Sequence, residues 1–118
     1  MPSSRKALEK AGLKVSDIDY WEINEAFAVV TLCAIHELGI ESERVNVHGG
    51  AIAIGHPLAA SGARLIGTLA RILQEKGGDY GVATACVGGG QGAAVVIERS
   101  DLTIRGLPIT ANYISFEV

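Results

Sequence analysis

The chain has 118 residues, of which 48% are hydrophobic and 19% charged, and its formal net charge is -3. This length suits one domain with a single core, and the composition is typical of a globular protein rather than a disordered one. A negative net charge without a long basic run excludes general nucleic-acid binding. The longest uncharged helical run, Ala26 to Ile35, is about half of the roughly 20 residues that a bilayer requires, which excludes a membrane partner.

Two cysteines, Cys33 and Cys86, are too few for a disulfide framework, and neither has a CxxC partner. The N-terminus also has no apolar signal segment. We therefore expect reduced thiols and a cytoplasmic location. Cys33 and His36 have the spacing of one helical turn, but the chain offers few further ligands, so we expect no metal site.

The first half of the chain predicts a helix, a strand and a second helix. Ser3 or Ser4 caps a helix that runs to about Gly12. A short strand over Ile18 to Ile23 ends at Asn24, which places Asn24 at a strand-to-helix junction. Helical periodicity then extends from Glu25 to Leu38. Because the run from Ala26 to Ile35 has no charged face, we expect a central helix that is buried on both sides.

The second half continues the alternation of helices and strands, which predicts a layered α/β fold with a mixed sheet. Its predicted elements are a short strand at Arg44 to Val47, a glycine-rich loop from His48 to Pro57, a helix from about Pro57 or Ser61 to Lys76, two strands at Tyr80 to Cys86 and Ala93 to Glu98 joined by a glycine-rich hairpin turn, and a further strand at Asn112 to Val118.

His56 is the first residue that suggests chemistry. It lies between Gly55 and Pro57 at the start of a predicted helix, where the helix dipole favours a neutral imidazole. Such an imidazole can deprotonate a thiol. The alternative is a loop histidine that is hydrogen-bonded to the backbone.

Cys86 is the second such residue. It ends a predicted strand and is followed by Gly88, Gly89 and Gly90, so its thiol would lie beside free backbone N–H groups. This arrangement suits acid-base work on an acyl group, and the alternative is a buried structural cysteine. Cys33, inside the apolar helix, is interpreted as buried and structural.

Asn24 and Glu25 form the third candidate. At a strand-to-helix turn, Asn24 can present an amide donor to a pocket while Glu25 favours the helix N-terminus, but a helix N-cap explains both residues equally well. The spacing Gly88-x-Gly90-x-x-Ala93 matches a dinucleotide fingerprint by letter. We reject that interpretation because a strand, and no helix, is predicted to follow.

Three motifs taken together carry a family resemblance. They are Asn24-Glu25-Ala26-Phe27, then Val45-Asn46-Val47-His48-Gly49-Gly50 leading to Gly55-His56-Pro57, and then Cys86-Val87-Gly88-Gly89-Gly90. Their order and spacing resemble the C-terminal part of the thiolase family, which includes acetyl-CoA acetyltransferases and 3-ketoacyl-CoA thiolases. The resemblance extends from about Ser3 to Arg99.

The resemblance implies a two-step acyl transfer with a coenzyme A thioester as substrate and no further cofactor. His56 would activate a nucleophilic cysteine and, with a water held by Asn24, would stabilise a thioester oxyanion. Cys86 would move a proton to or from the second substrate, and the Gly88 N–H would serve another oxyanion. Each role is assigned by motif position alone.

The sequence also departs from the family. The resemblance places the nucleophilic cysteine in a separate N-terminal domain, and neither Cys86 nor Cys33 matches its position. The segments that grip coenzyme A and the opening strand and helix of the C-terminal domain have no counterpart here, and Ala59 replaces a customary glycine. We therefore divide the chain into a thiolase-like half-domain at residues 3–99 and an unmatched tail at residues 100–118 that holds the extra strand.

From these observations we expect the C-terminal part of an acyl-CoA acyltransferase that condenses acetyl-CoA or cleaves 3-ketoacyl-CoA by thiolysis. It would be inactive without a nucleophile-bearing partner. The uncovered apolar helix predicts a homo-oligomer or a partner chain. The alternative is a truncated, non-catalytic module that acts in assembly or has no function.

Overall fold

The computed structural model describes residues 1–100 in full and, beyond them, the backbone of strands at residues 103–104, 107–108 and 111–117. The predicted α/β fold class is confirmed. The elements are α1 (Pro2–Ala11), β1 (Tyr20–Ile23), α2 (Ala28–Leu38), α3 (Ala51–Ile54), α4 (Leu58–Lys76), β2 (Tyr80–Val87), β3 (Gln91–Arg99), β4 (Thr103–Ile104), β5 (Leu107–Pro108) and β6 (Ala111–Glu117), with short 3-10 turns at Val15–Asp17 and Ser42–Arg44.

The main sheet has the strand order β1-β2-β3-β6 and is mixed, as the sequence predicts. Strand β1 runs parallel to β2, whereas β2 and β3 form the predicted antiparallel hairpin. Strand β6, at the place of the strand predicted in the tail, pairs antiparallel with β3. The division of the chain into a half-domain and a tail stays a prediction.

The two faces of the sheet carry separate cores, because successive residues of a strand point to opposite faces. Trp21 and Ile23 of β1 belong to a buried cluster with residues of α1 and α2. On the other face, Leu65, Leu69 and Leu73 of α4 pack against the sheet. The sheet therefore lies between two helical layers, and Glu22, between Trp21 and Ile23, faces the α4 side, where Arg64 binds it.

Helix α2 differs from its prediction in extent and burial. It begins at Ala28 and not at Glu25, and it ends as predicted at Gly39, which adopts the left-handed conformation that caps helices. Only Ala34 and Leu38 are buried, while Phe27, Val29 and Leu32 are 60% to 74% exposed. The expectation of a helix buried on both sides is thus wrong for this chain, because one side of α2 packs on the sheet and no described residue covers the other.

The segment between α2 and α4 also departs from prediction. The expected strand at Arg44 to Val47 is reduced to a single bridge between Val45 and Trp21. The loop from His48 to Pro57 contains one helical turn, α3, before α4 begins at Leu58. No helix within the described part of the chain is long and apolar enough to cross a membrane.

Candidate functional site

Two of the predicted site residues, Asn24 and His56, meet at the C-terminal end of β1. The backbone N–H of Asn24 donates to the Thr84 carbonyl at 2.9 Å. Pairing with β2 therefore continues past Ile23 and fixes the Asn24 backbone, from which the side chain extends. Asn24 is fully buried. Its Nδ2 lies 3.3 Å from Nε2 of His56. The strand end thus directs a buried amide at the imidazole.

The other ring nitrogen of His56 contacts Ser61 in the first turn of α4. The distance from Nδ1 to the Ser61 Oγ is 2.6 Å, and that hydroxyl donates its hydrogen to the Pro57 carbonyl at 3.1 Å. Because the only hydroxyl hydrogen is used, Oγ accepts from Nδ1–H. In the neutral ring this leaves Nε2 as the nitrogen with the lone pair, and it faces the Asn24 side-chain amide.

His56 lies on an exposed part of the chain. Every residue from 52 to 60 is exposed, including the large apolar side chains of Ile52, Ile54 and Leu58. Both of its ring nitrogens contact side chains, so the alternative of a histidine bonded to the backbone does not describe it. Asn24 and Ser61 therefore fix the orientation of the ring within an exposed segment.

Cys86 lies near the end of β2, opposite Gly92 of β3. It is free and exposed, which contradicts the alternative of a buried structural cysteine. Cys86, Thr84 and Asn24 line one cavity of about 310 Å³, together with the first residues of α1. Asn24 therefore contacts the imidazole and also lines the cavity that Cys86 lines.

Gly88 lies in the exposed turn between β2 and β3. Gly89 and Gly90 have φ values of 81° and 78°, in the left-handed region that favours glycine. Strand β3 follows, so the dinucleotide interpretation stays rejected. The role of the Gly88 N–H toward an oxyanion stays a prediction.

Glu25 does not act as predicted from its place before a helix. Phe27 is the N-cap of α2 and makes no side-chain cap bond, so the N-cap interpretation of Asn24 and Glu25 is wrong. The Glu25 carboxylate instead accepts hydrogen bonds from Asn46 Nδ2 at 3.0 Å and from the Ile52 backbone N–H at 2.9 Å. It therefore binds the loop that leads to His56.

Asn46 is a site residue that the sequence reasoning missed. Its Oδ1 accepts from the Ile23 N–H at 2.8 Å and its Nδ2 donates to the Ile23 carbonyl at 2.9 Å, so one side chain pairs with β1 as a neighbouring strand would. Asn46 has a φ of 48°, a conformation that asparagine tolerates better than most residues. Its place between Val45 and Val47 in the second motif is the only sequence signal for it.

A buried ion pair lies beneath α4. Arg64 donates to the Glu22 carboxylate at 2.9 Å, and the Glu22 side chain is fully buried. Burial raises the pKa of Glu22 to about 7; the charge of Arg64 opposes this rise and that of Glu25 adds to it. Glu22 Oε1 and Arg64 Nη2 have no hydrogen-bond partner among the described residues.

Cys33 is exposed on α2, so its interpretation as a buried cysteine is wrong. This error has the same cause as the wrong prediction that α2 is buried on both sides. An apolar run indicates that a helix is covered, but it does not indicate whether the same chain or another chain covers it. Within the residues that the structure describes, no group of three or more His, Cys, Asp or Glu side chains is placed to hold a metal ion.

Comparisons with known proteins identify the family that this chain resembles. Residues 1–99 match the profile of the family described as "Thiolase, C-terminal domain". The chain is 56% identical over 102 residues to a 3-ketoacyl-CoA thiolase of Marinobacter nauticus, and 54% identical over 99 residues to an acetyl-CoA acetyltransferase of Escherichia coli strain K12. Each match covers 84% of this chain, and 26% and 25% of those two proteins.

A solved structure also matches this chain. The crystal structure of human mitochondrial 3-ketoacyl-CoA thiolase superposes with a TM-score of 0.81 and 47% sequence identity, and the match covers 84% of this chain and 25% of that one. The same human enzyme has also been solved in complex with CoA. The chain therefore spans about a quarter of the length of the proteins it matches.

Proposed function

Because this chain belongs to the thiolase family and matches its C-terminal domain, we propose that it supplies the base, the acid-base thiol and oxyanion donors of an acyl-CoA acyltransferase site. The observation that carries the proposal is the Asn24–His56 contact beside a cavity lined by Cys86. The substrate class is a coenzyme A thioester. The reaction is the condensation of acetyl-CoA or its reverse, the thiolysis of 3-ketoacyl-CoA.

His56 acts in the first half-reaction. When the nucleophilic cysteine approaches, its S–H replaces the Asn24 amide at Nε2. Nε2 then takes the thiol proton, and the sulfur attacks the thioester carbonyl and forms a tetrahedral oxyanion. Asn24, with a water that its amide holds, and the imidazolium stabilise that negative charge. Collapse expels coenzyme A as a thiolate, which receives the proton from His56, and an acyl-cysteine thioester remains.

Cys86 acts in the second half-reaction. In condensation, its thiolate removes an α-proton from acetyl-CoA, and the resulting enolate attacks the acyl-cysteine and releases the nucleophile. In thiolysis, the Cys86 thiol returns that proton to the departing enolate. The Asn24 amide and the Gly88 N–H are the proposed donors to the oxyanions of this step. The exposed thiol and the shared cavity with Asn24 support this division of roles.

The nucleophile is proposed to come from outside this sequence. Cys86 matches the acid-base position by resemblance, and Cys33, which lies within α2, matches no nucleophile position of the family. We therefore expect a nucleophile-bearing part to complete the site. Two exposed free cysteines suit a reducing compartment, which supports the proposed cytoplasmic location.

The surface that such a part would cover is proposed to include two groups of exposed apolar side chains. Phe27, Val29 and Leu32 follow Asn24 closely in the chain, and Ile52, Ile54 and Leu58 lie in the segment that contains His56. Soluble monomers rarely expose apolar patches beyond a few hundred Å², and burial contributes roughly 25 cal/mol per Å² before the costs of association. A partner chain or a second copy is the proposed cover, so sedimentation at micromolar concentration should show association.

The test is a mixing experiment. The chain is combined with a separately purified thiolase N-terminal part that carries the nucleophilic cysteine, and thiolysis of acetoacetyl-CoA is measured. We expect no turnover by either component alone and turnover by the mixture. A mixture that forms a complex but neither turns over nor becomes acylated would favour the alternative, a non-catalytic assembly module.

A further inference from the structure

We propose that Glu25 is a positioning residue for His56: its carboxylate holds the turn α3 so that the imidazole stays on the Asn24 amide. The proposal rests on the proposed function, because it concerns the base of that same site. The name Glu25 clamp is used below for Glu25 together with Asn46, Gly50 and Ile52.

Both oxygens of the Glu25 carboxylate are engaged, and they bind different segments. Oε1 accepts from Asn46 Nδ2, and Oε2 accepts from the Ile52 N–H. The Asn46 side-chain amide in turn accepts from the Ile23 N–H and donates to the Ile23 carbonyl. The carboxylate therefore connects the end of β1 to α3 through two charge-assisted hydrogen bonds, which are stronger than neutral ones.

Gly50 shows how closely the clamp fits. A Cβ at this position would overlap the carboxylate group of Glu25. The backbone of Gly50, with a φ of -114°, is one that any residue adopts, so conformation alone does not require glycine here. The requirement comes from the close approach of Glu25.

The clamp acts on His56 because only α3 and Gly55 separate Gly50 from His56 in the chain. The Gly50 carbonyl accepts from the N–H groups of Ala53 and Ile54, and the Ala51 carbonyl accepts from that of Gly55, the residue before His56. Exposed residues 52–60 offer little apolar packing to fix this link. Polar contacts must therefore hold it, at Glu25 on one end and at Ser61 on the other. Since Glu25 follows Asn24 directly, the clamp ties the base to its amide partner.

The test uses the full chain labelled with ¹⁵N and needs neither partner nor turnover. The readout is the nuclear Overhauser effect between the Asn24 side-chain amide protons and the His56 ring protons. We expect Glu25→Ala to remove most of its intensity, Glu25→Gln, which keeps one acceptor oxygen, to remove part of it, and the exposed control Glu9→Gln to leave it unchanged.

Gly50→Ala gives an independent route to the same result. It should weaken the Asn24–His56 effect in the wild-type background, but cause no further loss when Glu25 is already alanine, because the overlapping group is gone. If Glu25→Ala does not fold, the Glu25→Gln and Gly50→Ala variants decide. Folded Glu25→Gln and Gly50→Ala chains with lowered thermal stability but an unchanged Asn24–His56 effect would overturn the proposal and leave Glu25 as a purely structural residue. Failure of the mixing experiment would not alter this readout.

Discussion

The sheet core and the loop around His56 differ in burial and in the kind of contact that holds them. Trp21, Leu69 and Val96 are fully buried, whereas every residue from 52 to 60 is exposed. The core is held by apolar packing on both faces of the sheet, while His56 is held by hydrogen bonds to Asn24 and Ser61. Both faces of the sheet are thus packed within the chain, whereas the residues around His56 are exposed. The proposed nucleophile-bearing part would cover them.

The largest effects on activity are expected from substitutions at the site itself. In the complex restored with an N-terminal part, His56→Ala should lower the rate of acylation by about 10²- to 10⁴-fold, because a general base is lost. Cys86→Ser should leave acylation measurable and stop the condensation step. Quench-flow detection of the acyl-enzyme separates the two steps.

The matched control for this experiment is His48→Ala, since His48 is also exposed but lies 3.6 Å from Glu75 of α4, away from Asn24. It should retain both steps. Equal losses of acylation in the His56 and Cys86 variants would contradict the separation of their roles.

The second comparison concerns stability. Leu69→Ala empties a fully buried position and should cost about 2 to 5 kcal/mol in the free energy of unfolding. Leu58→Ala removes a side chain that is 82% exposed and should change the free energy of unfolding by less than about 0.5 kcal/mol. Urea denaturation of the free chain measures both. A large cost at Leu58 would mean that the His56 loop is covered within the chain.

The third prediction concerns the buried Glu22. Its pKa is about 7 in the folded chain against 4.5 as the ordinary value, so the folded state holds the proton more tightly. The stability from this group is fully present below pH 4.5 and is lost as the pH rises through 7. The total loss is about 3 kcal/mol, since one pKa unit corresponds to about 1.4 kcal/mol.

Replacing Glu22 with glutamine removes this titration. Unfolding free energies at pH 5 and pH 8 should therefore differ less for Glu22→Gln than for the wild type, whereas Glu9→Gln should retain the wild-type difference. An unchanged pH dependence in the Glu22 variant would show that other groups cause it.

The sequence predicts the fold better than it predicts the support of the site. The alternation of apolar and polar residues and the helical periodicity predict the β2–β3 hairpin and the helix that ends at Lys76. Both patterns are visible because the buried side of a strand or a helix recurs at regular intervals in the sequence. Asn24, His56 and Cys86 were found because they lie in compact motifs. The structure brings Asn24 onto His56 and places Asn24 beside Cys86 at one cavity.

The missed residues share a different property. Asn46 binds Ile23 at a separation of 23 residues, and Arg64 binds Glu22 at a separation of 42. Such contacts leave no periodic signal, since each depends on how distant segments meet in three dimensions. The exposure of Cys33 was missed for a related reason. An apolar helix indicates that other residues pack over it, but no described residue packs over this side of α2.

We propose that this chain supplies the base and the acid-base thiol, whereas the nucleophile comes from the N-terminal part. Peptide mapping by mass spectrometry tests this after the chain, mixed with the N-terminal part, is treated with acetyl-CoA. We expect an acetyl thioester on a cysteine of the N-terminal part, absent when His56 is alanine. An acetyl thioester on Cys33 or Cys86, together with turnover by this chain alone that is lost in Cys33→Ala or Cys86→Ala, would contradict it.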